Sequence, residues 1–253
     1  MSRSSEIREE FRPVQHIAVK TRMQALIYHL RRTVDLQFNT VYRDMAKTLH
    51  HVRGQVLDVG CRNGPFKHLL GPETRYTGLD IESTSVFGRR NPDVIYYDGR
   101  TMPFADASYD FVICSEVLEH VPDTETFIAE IFRVLKPGGR AIFTVPWSAR
   151  YHFIPHDYYR FTPSAFERIF ANFSDLSVRA RGTEISAIAA KFVALNARLI
   201  LQGLRPTRWL TGLVPGLLLL PVTALALLFG QLGIYFRVGS DVDPLGYTIE
   251  LTK

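Results

Sequence analysis

Asp58 and Asp80 are the two residues of this chain whose types and spacing point most directly to chemistry. Asp58 lies in the apolar run Val56-Leu57-Asp58-Val59, which leads into Gly60-Cys61-Arg62-Asn63-Gly64. A buried parallel strand ends this way when the following loop passes close to a ligand, because a Cβ there would block the turn or the approach. Asp80 closes the next apolar segment, Tyr76-Thr77-Gly78-Leu79-Asp80, 22 positions after Asp58. That is about the spacing at which an acidic side chain meets the hydroxyl pair of a ribose. The pair predicts an α/β sheet that binds an adenosine-containing ligand. A dinucleotide fingerprint would need its later glycines at positions that hold Arg62 and Pro65.

The elements that position these carboxylates are legible as alternating strands and helices. Strands are expected at 55–59, 75–80, 93–97, 110–115 and 139–145, with a helix opening at Pro65-Phe66. A helix over 124–135 carries Phe127, Ile131 and Leu135 on one face, with Asp123 as N-cap and Gly138 as its terminating glycine. A helix from Pro163 to Phe170, capped by Thr162, and a strand near Leu176–Arg181 follow. Such alternation predicts a parallel sheet with right-handed crossovers and ligands at the carboxyl ends of its strands. Residues 1–54 read as helical, with Gln24, Ile27, Leu30, Val34, Phe38 and Val41 at helical spacing. They read as a cover on the sheet, a lid over the ligand or a basic surface.

The segment Asp58-x-Gly60-x-Arg62-x-Gly64 resembles the D/E-x-G-x-G-x-G loop of class I S-adenosylmethionine-dependent methyltransferases of the type 11 kind. Three further segments match that family in order: Tyr97-Asp98-Gly99 with Met102-Pro103-Phe104-Ala105-Asp106, Asp110 through Val121, and Arg133 through Gly139. The likeness spans roughly 50–182 and resumes at 246. It implies a Rossmann-like, seven-stranded, mostly parallel sheet whose last strand, Tyr247–Leu251, is inserted antiparallel. It also implies S-adenosylmethionine as cofactor, held by Asp58, Gly60, Cys61, Gly64, Asp80, Ile81, Asp98, Gly99 and Ser115. The chain departs from the family at Arg62, where the loop's middle glycine would stand. That side chain either crowds the methionine portion of the cofactor or points to solvent.

Composition narrows the class. The net charge of +5 is modest, and no basic tail or basic–aromatic repeat supports a nucleic-acid partner. The two cysteines, Cys61 and Cys114, read as small buried residues of a reducing cytoplasm, and no His/Cys cluster suggests a metal. The start, Met1 to Glu6, has no apolar stretch behind it, so no secretory signal is expected.

From Trp209 to Phe236, 28 residues pass without a charge, more than the ~20 needed to cross a bilayer. The expected organisation is a helical extension at 1–54, the cofactor-binding domain at 55–182 plus 244–253, and an insertion at 183–243. That insertion combines an amphipathic helix with the apolar membrane segment 209–236. If the last strand completes the sheet, both ends of the apolar segment lie on one side, so both termini are expected to be cytoplasmic. The segment then enters and returns, lies in the interface, or pairs two crossings.

Methyl transfer is an in-line displacement that needs a base only when the acceptor loses a proton. His156 and His120 are the candidates, lying after the fifth and fourth strands. His156-Asp157-Tyr158-Tyr159-Arg160-Phe161-Thr162 also resembles the H-D-Y-x-R-F-T stretch of a subgroup associated with bacterial surface-polysaccharide assembly. The expected activity is methylation, at oxygen, of a lipid-linked glycan or other amphiphilic acceptor at the cytoplasmic membrane face. The alternatives are a lipid or quinone methyltransferase, and a membrane scaffold with a vestigial cofactor fold.

Overall fold

The computed structural model describes residues 19, 21–81, 91–205 and 207–253; the remainder of the expected N-terminal extension lies outside them. Seven strands form one sheet in the order β3-β2-β1-β4-β5-β7-β6. They are β1 (Gly54–Val59), β2 (Thr74–Ile81), β3 (Val94–Tyr97), β4 (Tyr109–Ser115), β5 (Leu135–Pro146), β6 (Asp175–Arg181) and β7 (Gly246–Thr252). All pairings are parallel except those of β7, which runs antiparallel to both β5 and β6.

Alternate residues of the central strands enter two cores, as the period of two requires. Leu57, Val59, Val112, Cys114, Phe143 and Val145 face α3 (Thr124–Val134) and α4 (Pro163–Ile169), where Ile131, Phe166 and Phe170 are buried. Val56, Phe111, Ile113 and Ile142 face α2 (Leu36–Leu49), with its Phe38, Val41, Met45 and Leu49. Truncating any of these fully buried aromatics to alanine would cost ~3–5 kcal/mol.

Three local expectations are corrected. No α-helix opens at Pro65-Phe66; the chain makes a single 3₁₀ turn at Lys67–Leu69 before β2. Gly138 does not end a helix. α3 stops at Val134 because Leu135 is already extended and pairs with Tyr109, and Gly138 lies in the bulge before Phe111 pairs with Arg140. On α1 (Arg22–Val34), the expected inward face is outward: Ile27, Leu30 and Val34 are 53%, 58% and 50% exposed. Tyr28 is buried in their stead, edge-on to Phe38, Tyr42 and His68. Helical spacing finds a stripe but cannot choose between two apolar stripes on one helix.

Between β6 and β7 the chain leaves the sheet as a helical excursion. α5 (Glu184–Gly203) is followed by a π-type turn at Trp209–Leu213, then α6 (Val214–Leu218) and α7 (Leu220–Phe236). No single helix among the described residues is long and apolar enough to cross a membrane. The stretch Trp209–Leu218 with Leu220–Phe236 has that length and composition as a pair, bent by 51°. α7 packs on α5 through Gly230, where a Cβ would come within 2.7 Å of the Ala189 side chain. Asn196 Nδ2 donates to Thr223 Oγ1 across the same contact at 2.6 Å. The opposite face of α7 leaves Val222, Leu225, Leu228, Phe229, Tyr235 and Phe236 exposed.

Candidate active site

The carboxyl ends of β1, β2, β4 and β5 open into one cavity of about 1670 Å³. Asp58, near the end of β1, is 3% exposed and accepts a hydrogen bond from Tyr76 Oη at 2.8 Å. Burial, opposed by that hydrogen bond and reinforced by Asp80, pushes its pKa up to about 7. Gly60 follows at φ +71°, and a Cβ there would lie 2.4 Å from Val117 Cγ2, so the loop after β4 closes directly over this turn.

Asp80 ends β2. Its Oδ2 accepts the main-chain N–H of Arg62 and its Oδ1 that of Ile81, both at 2.8 Å. Burial raises its pKa, and those two N–H groups and the Arg62 charge limit the rise. Each oxygen keeps lone pairs for further donors. Asp98 makes a tight turn by accepting from Arg100 N at 2.9 Å, which lowers its pKa. Ser115 shares a hydrogen bond with Thr144 Oγ1 at 2.8 Å.

Asp58, Gly60, Cys61, Asp80, Ile81, Asp98, Gly99, Ser115, His120 and His156 all line this cavity. Gly64 stands apart from them. It lies against Tyr76, the residue that holds Asp58, so its place is behind the loop. Arg62 does not leave the cavity for solvent: its backbone takes the left-handed conformation of the glycine it replaces, at φ +50°, and its guanidinium lies 4.6 Å from the centre of the Phe153 ring.

The loops after β4 and β5 carry a polar cluster, of whose members the sequence singled out only His120 as a candidate. Glu116 accepts from Arg181 Nη2 at 2.7 Å, and Arg181 is fully buried at the end of β6. Glu119 is completely buried, and neither carboxylate oxygen has a hydrogen-bond donor from another described residue. Burial, with Glu116 nearby, raises its pKa well above the usual range. His120 Nδ1 lies 2.5 Å from the carbonyl oxygen of His156, and burial lowers the pKa of this ring to about 4. His152 packs edge-on to His120.

Asp157 orients His152, not its sequence neighbour His156: Asp157 Oδ2 is 2.9 Å from His152 Nδ1. Burial alone would raise Asp157, but the Arg160 and His152 donors outweigh it and hold it below the ordinary carboxylate range. The signal for this cluster was topological. β4 and β5 are neighbours in the sheet, so the loops after them, bearing Glu119-His120 and His152, must meet.

The site fits an adenosyl cofactor: a ribose needs the paired acceptor that Asp80 presents, and the Gly60 turn lets the chain approach closely. The sequence pattern of the methyltransferase domain family matches residues 57–143, the stretch that builds β1 to β5 and this cavity wall. Residues 57–143 are similar to the methyltransferase domain. S-adenosylmethionine is the cofactor of this domain.

Similar curated proteins include an O-methyltransferase of Aspergillus nomiae, 31% identical over 123 residues, covering 43% of this chain and 54% of that protein. A fatty-acid O-methyltransferase of Mycolicibacterium smegmatis is 34% identical over 99 residues, covering 36% of each chain. A demethylmenaquinone methyltransferase of Listeria welshimeri is 36% identical over 98 residues, covering 34% of this chain and 42% of its own. The match thus spans about half or less of each relative's length. Among solved structures, an S-adenosylmethionine-dependent methyltransferase from Archaeoglobus fulgidus shares the fold of this methyltransferase domain. Its TM-score is 0.50 at 16% identity, and the match covers 90% of this chain and 99% of that one.

Proposed function

We propose that the chain transfers a methyl group from S-adenosylmethionine to an oxygen of an amphiphilic acceptor at the cytoplasmic face of a membrane. The observation that carries this reading is the extent of the cavity. It runs from the carboxylates at the strand ends to α1 and α5, where Val34, Ala194 and Leu201 line it beside Arg31, Lys191 and Arg198. At about 1670 Å³ it exceeds the ~300–1,000 Å³ of most small-ligand sites, leaving room for a second reactant beside a cofactor. A wall that is apolar with cationic side chains suits a lipid tail carrying an anionic group.

When bound, the cofactor would supply an electrophilic sulfonium methyl, with a neutral thioether as the group displaced by the acceptor oxygen. The chain has to hold both reactants in line and exclude competing water. A hydroxyl acceptor must also lose its proton. His156, exposed at the cavity with Nδ1 3.2 Å from Tyr158 Oη, takes that role in our reading. His120 is a poorer proton acceptor at neutral pH because burial holds its pKa near 4. A carboxylate acceptor would need no base at all.

Two features support a membrane site. The exposed face of α7 continues onto Leu217 and Leu218 and is nearly free of charge. β7 also returns to the sheet, so the excursion starts and ends on one side, which agrees with both termini being cytoplasmic. The resemblance at 156–162 favours a lipid-linked glycan as acceptor; the named substrates of the fatty-acid and menaquinone relatives favour a lipid. Both share a long apolar tail.

Incubating the purified full chain with methyl-labelled S-adenosylmethionine and membrane extract tests the proposal. Label is expected in the organic phase and reduced with Asp80→Ala. Label confined to water-soluble products would overturn the amphiphilic acceptor. Absence of cofactor binding by calorimetry would leave the scaffold reading. In vesicle flotation, replacing 209–236 by a short flexible linker should abolish membrane association while preserving cofactor binding, since loop closure depends only weakly on length.

A further inference from the structure

We infer that Glu119, His120 and His152 bind one divalent transition-metal ion in the wall of the cavity. One ligand-capable atom from each of the three lies within 4.8 Å of the other two. Glu119 carries the argument, because an ionised carboxylate buried without donors is costly and calls for a partner. Its side chain has no accessible surface, and neither oxygen receives a hydrogen bond from another described residue. A protonated Glu119 donating to His120 does not account for the geometry, since Oε1 and His120 Nε2 are 3.5 Å apart. That separation is too long for a good hydrogen bond. It is close to the ~3.0–3.4 Å between two ligands that share an ion at ~2.1 Å.

The two rings are prepared for the role. His120 Nδ1 faces a carbonyl oxygen, which can only accept, so the proton sits on Nδ1 and Nε2 presents a lone pair. His152 Nδ1 faces two acceptors, Asp157 Oδ2 at 2.9 Å and Arg150 O at 3.0 Å, and is fixed in the same tautomer. Asp157 is itself clamped by Arg160 at 2.6 and 2.9 Å. This is the outer layer that ligating histidines have: an acceptor on the far nitrogen, held in turn by another group. Two imidazoles and one carboxylate, with further positions open, suit Zn²⁺, Mn²⁺, Fe²⁺ or Co²⁺ rather than Mg²⁺ or Ca²⁺. The open positions face the cavity, because His120 and His152 line it and Glu119 lies behind them. An acceptor oxygen would bind there; that second step rests on the methyl-transfer reading, whereas ion binding does not.

Co²⁺ is the probe. The full chain, stripped with chelator, is titrated with Co²⁺ and followed by its visible absorption and by calorimetry. One equivalent is expected, with His152→Ala and Glu119→Gln each weakening it on the order of a hundredfold or more, and Asp157→Asn about tenfold. Calorimetry with S-adenosylmethionine on the same samples reports whether each variant is folded. If Glu119→Gln does not fold, His152→Ala at the cavity edge decides the matter. Absence of saturable Co²⁺ binding by the parent, or binding unchanged in His152→Ala, overturns the site. Co²⁺ binding without S-adenosylmethionine binding would refute the methyl-transfer reading and leave the metal site standing.

Discussion

The main-chain N–H of Arg62 donates to Asp80 Oδ2 at 2.8 Å, joining the loop after β1 to the end of β2. One carboxylate thus has two tasks. It fixes the conformation of the loop, and its remaining lone pairs are those that the proposed cofactor-binding role assigns to a ribose.

Asp80→Ala removes both. Charge-assisted hydrogen bonds contribute ~1.5–3 kcal/mol each, so cofactor affinity measured by calorimetry should fall at least tenfold. Asp80→Asn keeps an acceptor for one partner and should fall less. Equal affinity for parent and Asp80→Ala would contradict the assignment.

Arg62 occupies a left-handed conformation at φ +50°, compensated by its contact with Phe153. Arg62→Gly relieves ~1 kcal/mol of backbone strain and gives up a cation–π contact of similar size. Its urea midpoint should therefore stay close to the parent's. Arg62→Val keeps the strain, adds a branch at Cβ and loses the contact, so it should lose ~1–3 kcal/mol. Denaturation of the two variants side by side checks the order.

Asp58 makes stability fall as pH rises. Its pKa moves from 3.8 to about 7 on folding, so between these values the folded chain keeps a proton that the unfolded chain has released. Its contribution is zero below the lower value, grows more unfavourable through the window and levels off above about 7, at a few kcal/mol. Asp58→Asn, which still accepts from Tyr76, should flatten this slope and gain on the parent between pH 4.5 and 7.5. Parallel urea midpoints across that range would refute it.

Arg181 is buried with Glu116 as its ion-pair partner and also donates to Val145 O and Tyr247 O. Arg181→Met leaves Glu116 and both carbonyls without their donor and should cost ~3–5 kcal/mol. Adding Glu116→Gln should recover part of that loss, so a double-mutant cycle will show positive coupling. Strict additivity would mean that the pair contributes nothing as a pair.

The sheet was legible because apolar runs of strand length alternate with helices, and the structure keeps each expected strand within a few residues. Asp58, Gly60 and Asp80 were legible for a related reason: loops at strand ends carry their chemistry in short, contiguous motifs. What escaped was whatever depends on rotation or on distant partners. The orientation of α1 turns on which stripe finds Phe38 and Tyr42. The end of α3 turns on Leu135 pairing with Tyr109, a partner 26 residues earlier. Glu119 and His152 belong to different loops, and only the adjacency of β4 and β5 brings them together.

β7 lies between β5 and β6, yet the chain reaches it only after α5, α6 and α7. During synthesis, β6 therefore emerges well before the strand that joins it to the sheet. β5 holds an open edge on that side throughout the same interval. The apolar helices leave the ribosome while the sheet is still incomplete, so they meet whatever surface they dock on before β7 closes it. Unpaired edges are sites of misassembly. A stop codon ahead of Gly246 would make that interval permanent, and such a product should aggregate or be degraded rather than survive as a weakened enzyme.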